Sequence, residues 1–581
     1  MTEKITTDIL IVGGGVGGTT AAIQAARSGI KTVLVSEYSW LAGMLTAAGV
    51  AAPDGNELLS LQTGLWGAFL KALRAEHQAG LDNSWVSMFS YNPAVGAKIF
   101  ARWVQELPNL QWIPNKIPLE VFQKENKITA VRFSDLIVEA KITLDGTELG
   151  DLIALAEIPL RWGWELQTEF DEPSAPRSFN ELTNEYPVQA PTWVFILQDY
   201  GKSEKAKEIT SYDRNFSGTW TDYGAEKFLN YGRLPDNLFM INWPQSGNDY
   251  GANLGRLIAS SEQRKEFLEA AYCHSLNFAS YIQSELGRRY GLAENIFPHQ
   301  ESAFALHPYY RESRRIKGIE TITENDILPV KNGTVARLPN QTGIISAIAV
   351  GNYANDHHYP GIDFTLQPKS FRWGGRWTGT AFTIPYGAII PDAIDGLLVC
   401  EKNISVSHIA NGSTRLQPVV MNIGQAAGMA AALCLKLNCQ PRNLDVRTLQ
   451  EALLSDRLAP AAIIPLYDLL PEHPDWLYWQ KYYLDNPDRY PQDGNCLCEQ
   501  IPHLKSTGSY FQGYFQLRGD RQYAIDLTKP REFYPRVWDL VTLHPKVNQQ
   551  LSNCQDGSLI ALIARYNHSG GWLVVEELIE N

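Results

Sequence analysis

Cysteine is scarce in this sequence, and its spacing is irregular. The 581 residues include seven cysteines, an odd number, and no two of them form a Cys-x-x-Cys pair. This pattern supports neither a disulfide framework nor an iron–sulfur site. The shortest spacing separates Cys496 from Cys498 and is one that ordinary thiols also show. We therefore interpret the set as free thiols, at Cys273, Cys400, Cys434, Cys439, Cys496, Cys498 and Cys554.

The chain also lacks a surplus of basic residues. It contains 50 Lys and Arg against 63 Asp and Glu, which gives a net charge of −13. A protein without excess positive charge has little to neutralise phosphates with, so we do not expect nucleic acid as a partner. Hydrophobic residues make up 44% of the chain and charged residues 19%, which is typical of a large folded core. The length predicts two or three domains.

Long apolar runs are the third absence. We expect none that reaches the length of a membrane span. The first strand pattern begins within a few residues of the start, which leaves no room for a signal peptide. We therefore expect a cytoplasmic protein without a membrane span.

The glycine-rich segment near the start is the strongest functional signal. Residues 8–12 form an apolar run typical of a buried parallel strand, an alanine-rich helix follows, and residues 31–36 read as a second strand. Glycines at G-x-G-x-x-G spacing permit a tight turn and the close approach of a pyrophosphate, and Glu37 ends the second strand, where an acid binds an adenosine ribose. These features predict a dinucleotide site on the loop glycines Gly13, Gly15, Gly17 and Gly18.

The rest of the chain divides by pattern. Short strands over 110–145 lead to Asp145-Gly146-Thr147, a second place where backbone N–H groups can face a phosphate or a ribityl chain. Residues from 508 onward alternate as strands and predict a small, barrel-like β domain. We expect an α/β chain: a Rossmann-like domain, an inserted α+β substrate domain and a small C-terminal β domain. The predicted boundaries are 1–164 and 346–450 for the Rossmann-like domain, 165–345 for the substrate domain and 451–581 for the C-terminal extension.

Five segments in order carry a family resemblance: the glycine loop with Glu37, Trp40-Leu-Ala-Gly-Met-Leu-Thr, Asp145-Gly-Thr-Glu-Leu-Gly-Asp, Arg311-Glu-Ser-Arg-Arg, and Ser405 through Arg415 to Gly424-Gln-Ala-Ala-Gly. Together they resemble the bacterial FAD-dependent oxidoreductases of the glutathione-reductase-like flavoprotein superfamily, over roughly residues 5–440. The resemblance implies FAD as the resident dinucleotide. Cys400-Glu401-Lys402 departs from the family, which often has Ala-Gly-Arg there, so a contact from this loop to FAD is in doubt.

The resemblance also implies where the parts of FAD bind. The segment after Glu37 would run beside the pyrophosphate and isoalloxazine, and a backbone contact to adenine falls at Ile117. A late helix from Gln417 would point its N-terminus at the flavin N1 and C2=O, where negative charge develops on reduction. Pro418 suits the first turn of that helix. The residues expected beside the cofactor after Glu37 are Leu41, Gly43, Met44, Leu45 and Thr46.

Candidate catalytic residues follow from flavin chemistry, which usually needs a base for the substrate proton. His357 and His358, beside Asp356, are the best candidates because histidine titrates near neutral pH; the alternative is a pair of structural histidines. Arg311 can clamp a substrate carboxylate or hold the flavin, or can be part of a salt-bridged helix face. Two further candidates are Arg415, just before the late helix, and Tyr386, which can line the ring or donate a proton.

These features predict an FAD-dependent dehydrogenase or oxidase that moves a hydride from a small-molecule substrate to flavin N5. The electron acceptor can be oxygen, a quinone or another carrier. One alternative is a flavin-dependent reductase of a double bond, supplied with electrons from outside. Another is a non-catalytic flavin-binding protein whose C-terminal domain docks a partner. No metal site is expected, and the sequence does not predict the oligomeric state.

Overall fold

The structure is a computed structural model. It describes residues 3–77, 80–202, 205–210, 216–300, 302–341, 343–496, 506–533 and 536–579. Cys498, in the pair considered above, lies outside these ranges. The helices of the described chain are Val16–Arg27, Gly64–Glu76, Pro93–Gln105, Asp151–Leu155, Gln167–Phe170, Glu181–Glu185, Ala225–Tyr231, Arg256–Ala259, Ser261–Leu286, Glu324–Ile327, His408–Thr414, Gln417–Leu437, Val446–Leu454, Trp476–Asp485 and Pro545–Asn553.

A parallel sheet of five strands forms the centre of the fold. The strands are almost entirely apolar and buried, as expected for a sheet that is covered on both faces. The helix Val16–Arg27 connects two neighbouring strands and completes a βαβ unit, which confirms the predicted Rossmann-like fold. In spatial order the strands are Leu397–Val399, Ile142–Asp145, Ile9–Val12, Thr32–Val35 and Leu110–Ile113.

Beside this sheet lies a second sheet of four strands. It contains three of the short strands predicted over 110–145, paired antiparallel, with the first strand of the chain added in parallel at one edge. The four strands are, in order, Glu3–Thr6, Leu136–Glu139, Lys127–Arg132 and Glu120–Lys124. Four strand pairs complete the body: Leu160–Arg161 with Arg315–Ile316, Asn340–Gln341 with Ile344–Ile345, Ala347–Asn352 with Ala381–Pro385, and Ser370–Trp373 with Arg376–Gly379.

The late helix Gln417–Leu437 packs directly on the helix Val16–Arg27. A Cβ on Gly424 would overlap the backbone of Gly17, and one on Gly428 would overlap Ala21, so glycine is required at both contacts. The length and apolar composition of the late helix differ from the expectation that no apolar run reaches the length of a membrane span. Among the described residues it is the one helix that meets the criteria for a membrane span, with a mean hydropathy of 1.5, yet 89% of that stretch is buried inside the protein.

The inserted region has a sheet and a core of its own. Three antiparallel strands pack against the helix Ser261–Leu286 around an aromatic cluster that includes Phe195, Phe228 and Phe278. The strands are, in order, Leu238–Ile241, Phe195–Asp199 and Tyr290–Leu292. This arrangement confirms the predicted α+β insertion.

The end of the chain is a closed five-stranded barrel, which confirms the predicted small β domain. Its strands are, in order, Ser509–Gly519, Gln522–Lys529, Val537–Val541, Trp572–Ile579 and Leu559–Asn567. The barrel docks on the body through a β-hairpin, residues 370–379, whose Gly374 accepts a hydrogen bond from the Thr542 N–H at 2.8 Å and donates one to Asn548 at 2.9 Å. On another side Asn567 donates to the carbonyls of Asp82 and Ser84, both at 2.9 Å.

Candidate functional site

A cavity of about 600 Å³, the cofactor cavity, opens at the carboxyl ends of the central strands. In parallel α/β sheets this edge is where ligands bind, because loops from successive strands and the N-terminus of the first helix meet there. The structure brings seven of the predicted cofactor residues to its wall: Gly13, Gly15, Glu37, Gly43, Ile117, Gly146 and Thr147.

The loop glycines are needed for different reasons. Gly13 has a φ of +102°, and a Cβ there would overlap the backbone of Gly146. A Cβ on Gly17 would overlap the carbonyl oxygen of Cys400, and one on Gly18 would overlap that of Gly13. These three glycines let the first helix pack tightly, whereas Gly15 faces the cavity. The backbone there is bare, as the approach of a diphosphate requires.

The other predicted cofactor residues lie behind the wall. Asp145 is fully buried and holds the turn: its carboxylate accepts the Thr147 N–H at 2.8 Å and the Ile153 N–H at 3.0 Å, while burial raises its pKa to about 6. Gln417 is also buried, and among the described residues its Oε1 atom has no hydrogen-bond partner. The remaining buried members are Leu41, Met44, Leu45, Thr46 and Pro418.

Cations from the inserted region close the far wall of the cofactor cavity. Asp151 receives two hydrogen bonds from Arg264, at 2.7 and 3.0 Å, and one from Arg314 at 2.9 Å. Burial, together with the nearby Asp151, raises the pKa of Glu37 to about 7. Sequence reasoning missed Arg264, because an arginine in the first turn of a helix belongs to no motif.

A carboxylate stands at the N-terminus of the first helix. The Gly17 N–H donates to Oε2 of Glu401 at 2.8 Å, and Lys402 binds both Glu401, at 3.0 Å, and Glu148, at 2.5 Å. Burial raises the pKa of Glu401 to about 7, against the lowering effect of Lys402. This contact explains why the difference from the family at residues 400–402 matters. The carboxylate of Glu401 accepts the Gly17 N–H, a hydrogen-bond donor that would otherwise face the diphosphate.

A second group of ionic side chains, the charged cluster, lies between the insertion and the start of the late helix. Arg311 contacts Asp249 at 3.1 Å, and Asp249 accepts a hydrogen bond from His358 at 2.7 Å. The other ring nitrogen of His358 lies 2.9 Å from Asp356, which also contacts Arg415 at 3.1 Å. Burial opposes ionisation of Asp249 and Asp356, but the neighbouring cations hold both pKa values below their ordinary range. The structure thus brings Arg311, His358 and Arg415 together.

The two histidines are placed differently from the sequence expectation. Both nitrogens of His358 donate to carboxylates, so its ring has no free lone pair for a substrate proton. His357 faces the Tyr359 hydroxyl at 2.7 Å and the Ile409 carbonyl at 3.0 Å, and burial lowers its pKa to about 3. Neither ring, as placed, is a free base.

Tyr386 is not part of this group. It is buried, and its hydroxyl donates to the Pro441 carbonyl at 2.9 Å, just beyond the C-terminal end of the late helix. That helix has 21 residues, so its two ends are about 30 Å apart. Sequence reasoning could not separate them, because Tyr386 is close in sequence to the strand that leads into the site.

The residues present fit FAD. The cofactor cavity offers bare backbone at the first helix, an acid at the ribose position, and Ile117 at the adenine position named by the resemblance. The buried oxygens of the described chain that lack a hydrogen-bond partner include Oε1 of Glu148, a residue of the cavity wall, and Oε1 of Gln417. The late helix also begins beside the charged cluster, since Gln417 follows Arg415 by two residues. The contact between Glu401 and Gly17 opposes an anion at the first helix.

Among solved structures, the chain resembles several flavoenzymes at low identity. It is 11% identical to p-nitrophenol 4-monooxygenase from Pseudomonas putida DLL-E4, with a TM-score of 0.22; the match covers 34% of this chain and 48% of that one, about half its length. It is 11% identical to a geranylgeranyl bacteriochlorophyll reductase-like protein from Thermoplasma acidophilum, covering 83% and 90% of the two chains, with a TM-score of 0.32. A myxobacterial chondrochloren halogenase is 10% identical over 77% of this chain and 78% of that chain, with a TM-score of 0.31.

No curated protein matches the chain. The model of a protein family described as FAD dependent oxidoreductase, however, matches residues 8–453. That match covers well over half of the sequence and includes every candidate cofactor and catalytic residue named above. The protein therefore belongs to the FAD-dependent oxidoreductase family and is an enzyme that uses FAD.

Proposed function

We propose that this enzyme is a dehydrogenase or oxidase that removes a hydride from a small molecule. The observation that carries the proposal is the charged cluster, a set of ionic groups placed just before the late helix, in which Arg311, Asp249 and Arg415 are buried and Asp356 is partly exposed. Bound FAD supplies a two-electron acceptor at its ring. Buried cations in front of that helix suit a substrate with a polar or anionic group, which Arg311 and Arg415 would orient.

Asp54 is the proton acceptor in this proposal. Its carboxylate lines a second cavity, of about 160 Å³, together with Tyr353 and Arg376. The neighbouring Gly55 lies against Leu416, the residue before the late helix, because a Cβ on Gly55 would be 3.7 Å from the Leu416 Cβ. Burial, followed by the charge of Glu57, raises the pKa of Asp54 well above its ordinary value, which makes this carboxylate a stronger proton acceptor than an exposed one.

His358 takes a different role from the one expected for it. Held between two carboxylates, it acts as a fixed cation that keeps Asp249 and Asp356 ionised and in place. Those two carboxylates in turn fix the guanidinium groups of Arg311 and Arg415. The cluster therefore orients the substrate, while Asp54 receives its proton.

The test is anaerobic mixing of the purified yellow protein with alcohols, amines and amino acids. Bleaching of the flavin absorbance by one class, reversed by oxygen or a quinone, supports the proposal. If no donor bleaches it, but chemically reduced protein is reoxidised by an activated alkene, the enzyme is a double-bond reductase instead. If the flavin responds to neither, the proposal fails.

Asp54→Asn tests the assigned base. Without a proton acceptor, bleaching by the active donor should slow by about 10²–10⁴-fold, while FAD remains bound. The matched control is Asp135→Asn, which changes an exposed acid paired with Lys116 in the four-stranded sheet and should bleach at the native rate. An unchanged rate in Asp54→Asn would remove Asp54 from the mechanism.

A further inference from the structure

Four side chains behind the charged cluster, three buried and one partly buried, form a continuous hydrogen-bonded chain, which we call the relay. It consists of His357, Tyr359, His408 and Glu312. The Tyr359 hydroxyl lies 2.7 Å from Nδ1 of His357 and 2.6 Å from Nε2 of His408. Nδ1 of His408 lies 2.9 Å from Oε1 of Glu312, and Nε2 of His357 lies 3.0 Å from the Ile409 carbonyl.

The number of hydrogens in the relay follows from these contacts. Its four links, including the one to Ile409, need four hydrogens, and a carbonyl oxygen cannot donate one. Two neutral histidines and a tyrosine supply three. The fourth must be an additional proton, either on Glu312 or on one of the histidine rings. A fully hydrogen-bonded relay therefore contains one proton more than a relay made of two neutral histidines, a neutral tyrosine and an ionised Glu312.

The surroundings place this proton at the Glu312 end. Burial raises the pKa of Glu312 to about 7 and lowers those of His357 and His408 to about 3, so the acid holds the proton more tightly than either ring. The ring of Trp164 covers His408, with the two centroids 3.9 Å apart, and excludes water from that link.

The charges that face the relay come from several elements. Beside Glu312, the Arg315 Nε atom lies 3.4 Å away and the Gln189 N–H donates to Oε2 at 3.2 Å. Arg415 also favours the ionised form of Glu312, whereas Arg315 disfavours a charged His408 and Glu165 favours one. Burial outweighs the two arginines, so the acid remains protonated up to about neutral pH.

The relay joins the three segments that hold the charged cluster. Glu312 follows Arg311, His357 and Tyr359 flank His358, and His408 lies seven residues before Arg415 on the adjoining helix. We infer that the relay is a proton-dependent latch, which keeps Arg311, His358 and Arg415 in register only while it contains its additional proton. That these three residues serve the reaction rests on the proposed function, whereas the latch itself does not.

Hydrogen exchange of backbone amides tests the latch without any turnover. In the native holoenzyme, protection of residues 353–359, corrected for intrinsic exchange, should fall by about tenfold or more between about pH 6 and about pH 8.5. In Glu312→Gln the amide N–H replaces the acid proton and donates to His408 at any pH, so protection should stay constant. Equal pH dependence in the two proteins would overturn the latch.

Infrared difference spectra locate the proton directly. At about pH 6 the native protein should show a protonated carboxyl band that is absent from Glu312→Gln. Tyr359→Phe should lose this band at a lower pH than the native protein does, because neutral His408 can then donate to an ionised Glu312, an arrangement that the intact relay does not permit. Tyr186→Phe is the control: Tyr186 packs 5.7 Å from the Tyr359 ring but donates to Pro360 and has no link in the relay, so it should retain the band.

If the band disappears at the same pH in Tyr359→Phe as in the native protein, burial alone protonates Glu312 and the relay is refuted. Activity separates the latch from the proposed function. If the latch is correct, Glu312→Gln shifts the alkaline limit of turnover upward with whatever donor is active. If the exchange and infrared results hold but no donor is found, only the proposed function fails.

Discussion

Replacing Glu401 with glutamine should strengthen FAD binding. The carboxylate of Glu401 accepts the Gly17 N–H at 2.8 Å, at the helix N-terminus where a diphosphate binds. A hydrogen bond to a charged acceptor contributes about 1.5–3 kcal/mol and a neutral one about 0.5–1.5 kcal/mol. With glutamine at position 401, the free-energy cost of freeing the Gly17 N–H for the diphosphate is therefore lower by about 1.4 kcal/mol. This difference corresponds to a dissociation constant for FAD that is lower by about tenfold.

The assay is titration of the apoprotein with FAD, followed by quenching of flavin fluorescence. Because burial raises the pKa of Glu401 to about 7, native affinity should increase as the pH falls through 7 and the acid becomes neutral, while Glu401→Gln should bind equally well across that range. Glu451→Gln, an exposed acid on the helix Val446–Leu454, is the control. Weaker binding by Glu401→Gln would refute the reasoning and show that the carboxylate itself holds the cofactor.

Two further predictions concern stability of the apoprotein, measured by urea unfolding. Gly17→Ala should lower the free energy of unfolding by about 1–3 kcal/mol, because the new methyl overlaps the Cys400 carbonyl, whereas Gly255→Ala, with open space around it, should not destabilise. If the two variants change the free energy of unfolding equally, the first helix shifts to accommodate the new methyl group. Lys402→Met should cost about 3–5 kcal/mol, because Glu401 and Glu148 lose their shared cation while buried. A loss below about 1 kcal/mol would show that water reaches these carboxylates.

The sequence predicts the local parts of this protein well. The strand, glycine turn, helix and Glu37 are consecutive, so their geometry follows from hydrophobic pattern and backbone chemistry alone, and the glycine fingerprint lies on the wall of the cofactor cavity. The alternating strands after residue 508 likewise form the barrel. Local chemistry determines both.

The charged cluster could not be predicted in the same way. The partner of His358, Asp249, lies 109 residues earlier, and nothing in the sequence pairs them. Without Asp249, an Asp-His-His run resembles a base with its orienting acid. With Asp249 in place, both ring nitrogens of His358 are bonded to carboxylates. Asp54 was missed for a related reason: an acid in a loop shows neither its burial nor its neighbours until distant segments enclose it.

The docking of the barrel on the hairpin 370–379 has a consequence for synthesis of the protein. The hairpin supplies Arg376 and Trp377 to the wall of the second cavity, and its tip is bonded to Thr542 and Asn548. During translation those two residues emerge from the ribosome more than 150 positions after the hairpin. The cavity wall therefore acquires its outer support only after the barrel has been synthesised, and a nascent chain that stops before the barrel leaves that wall unbraced.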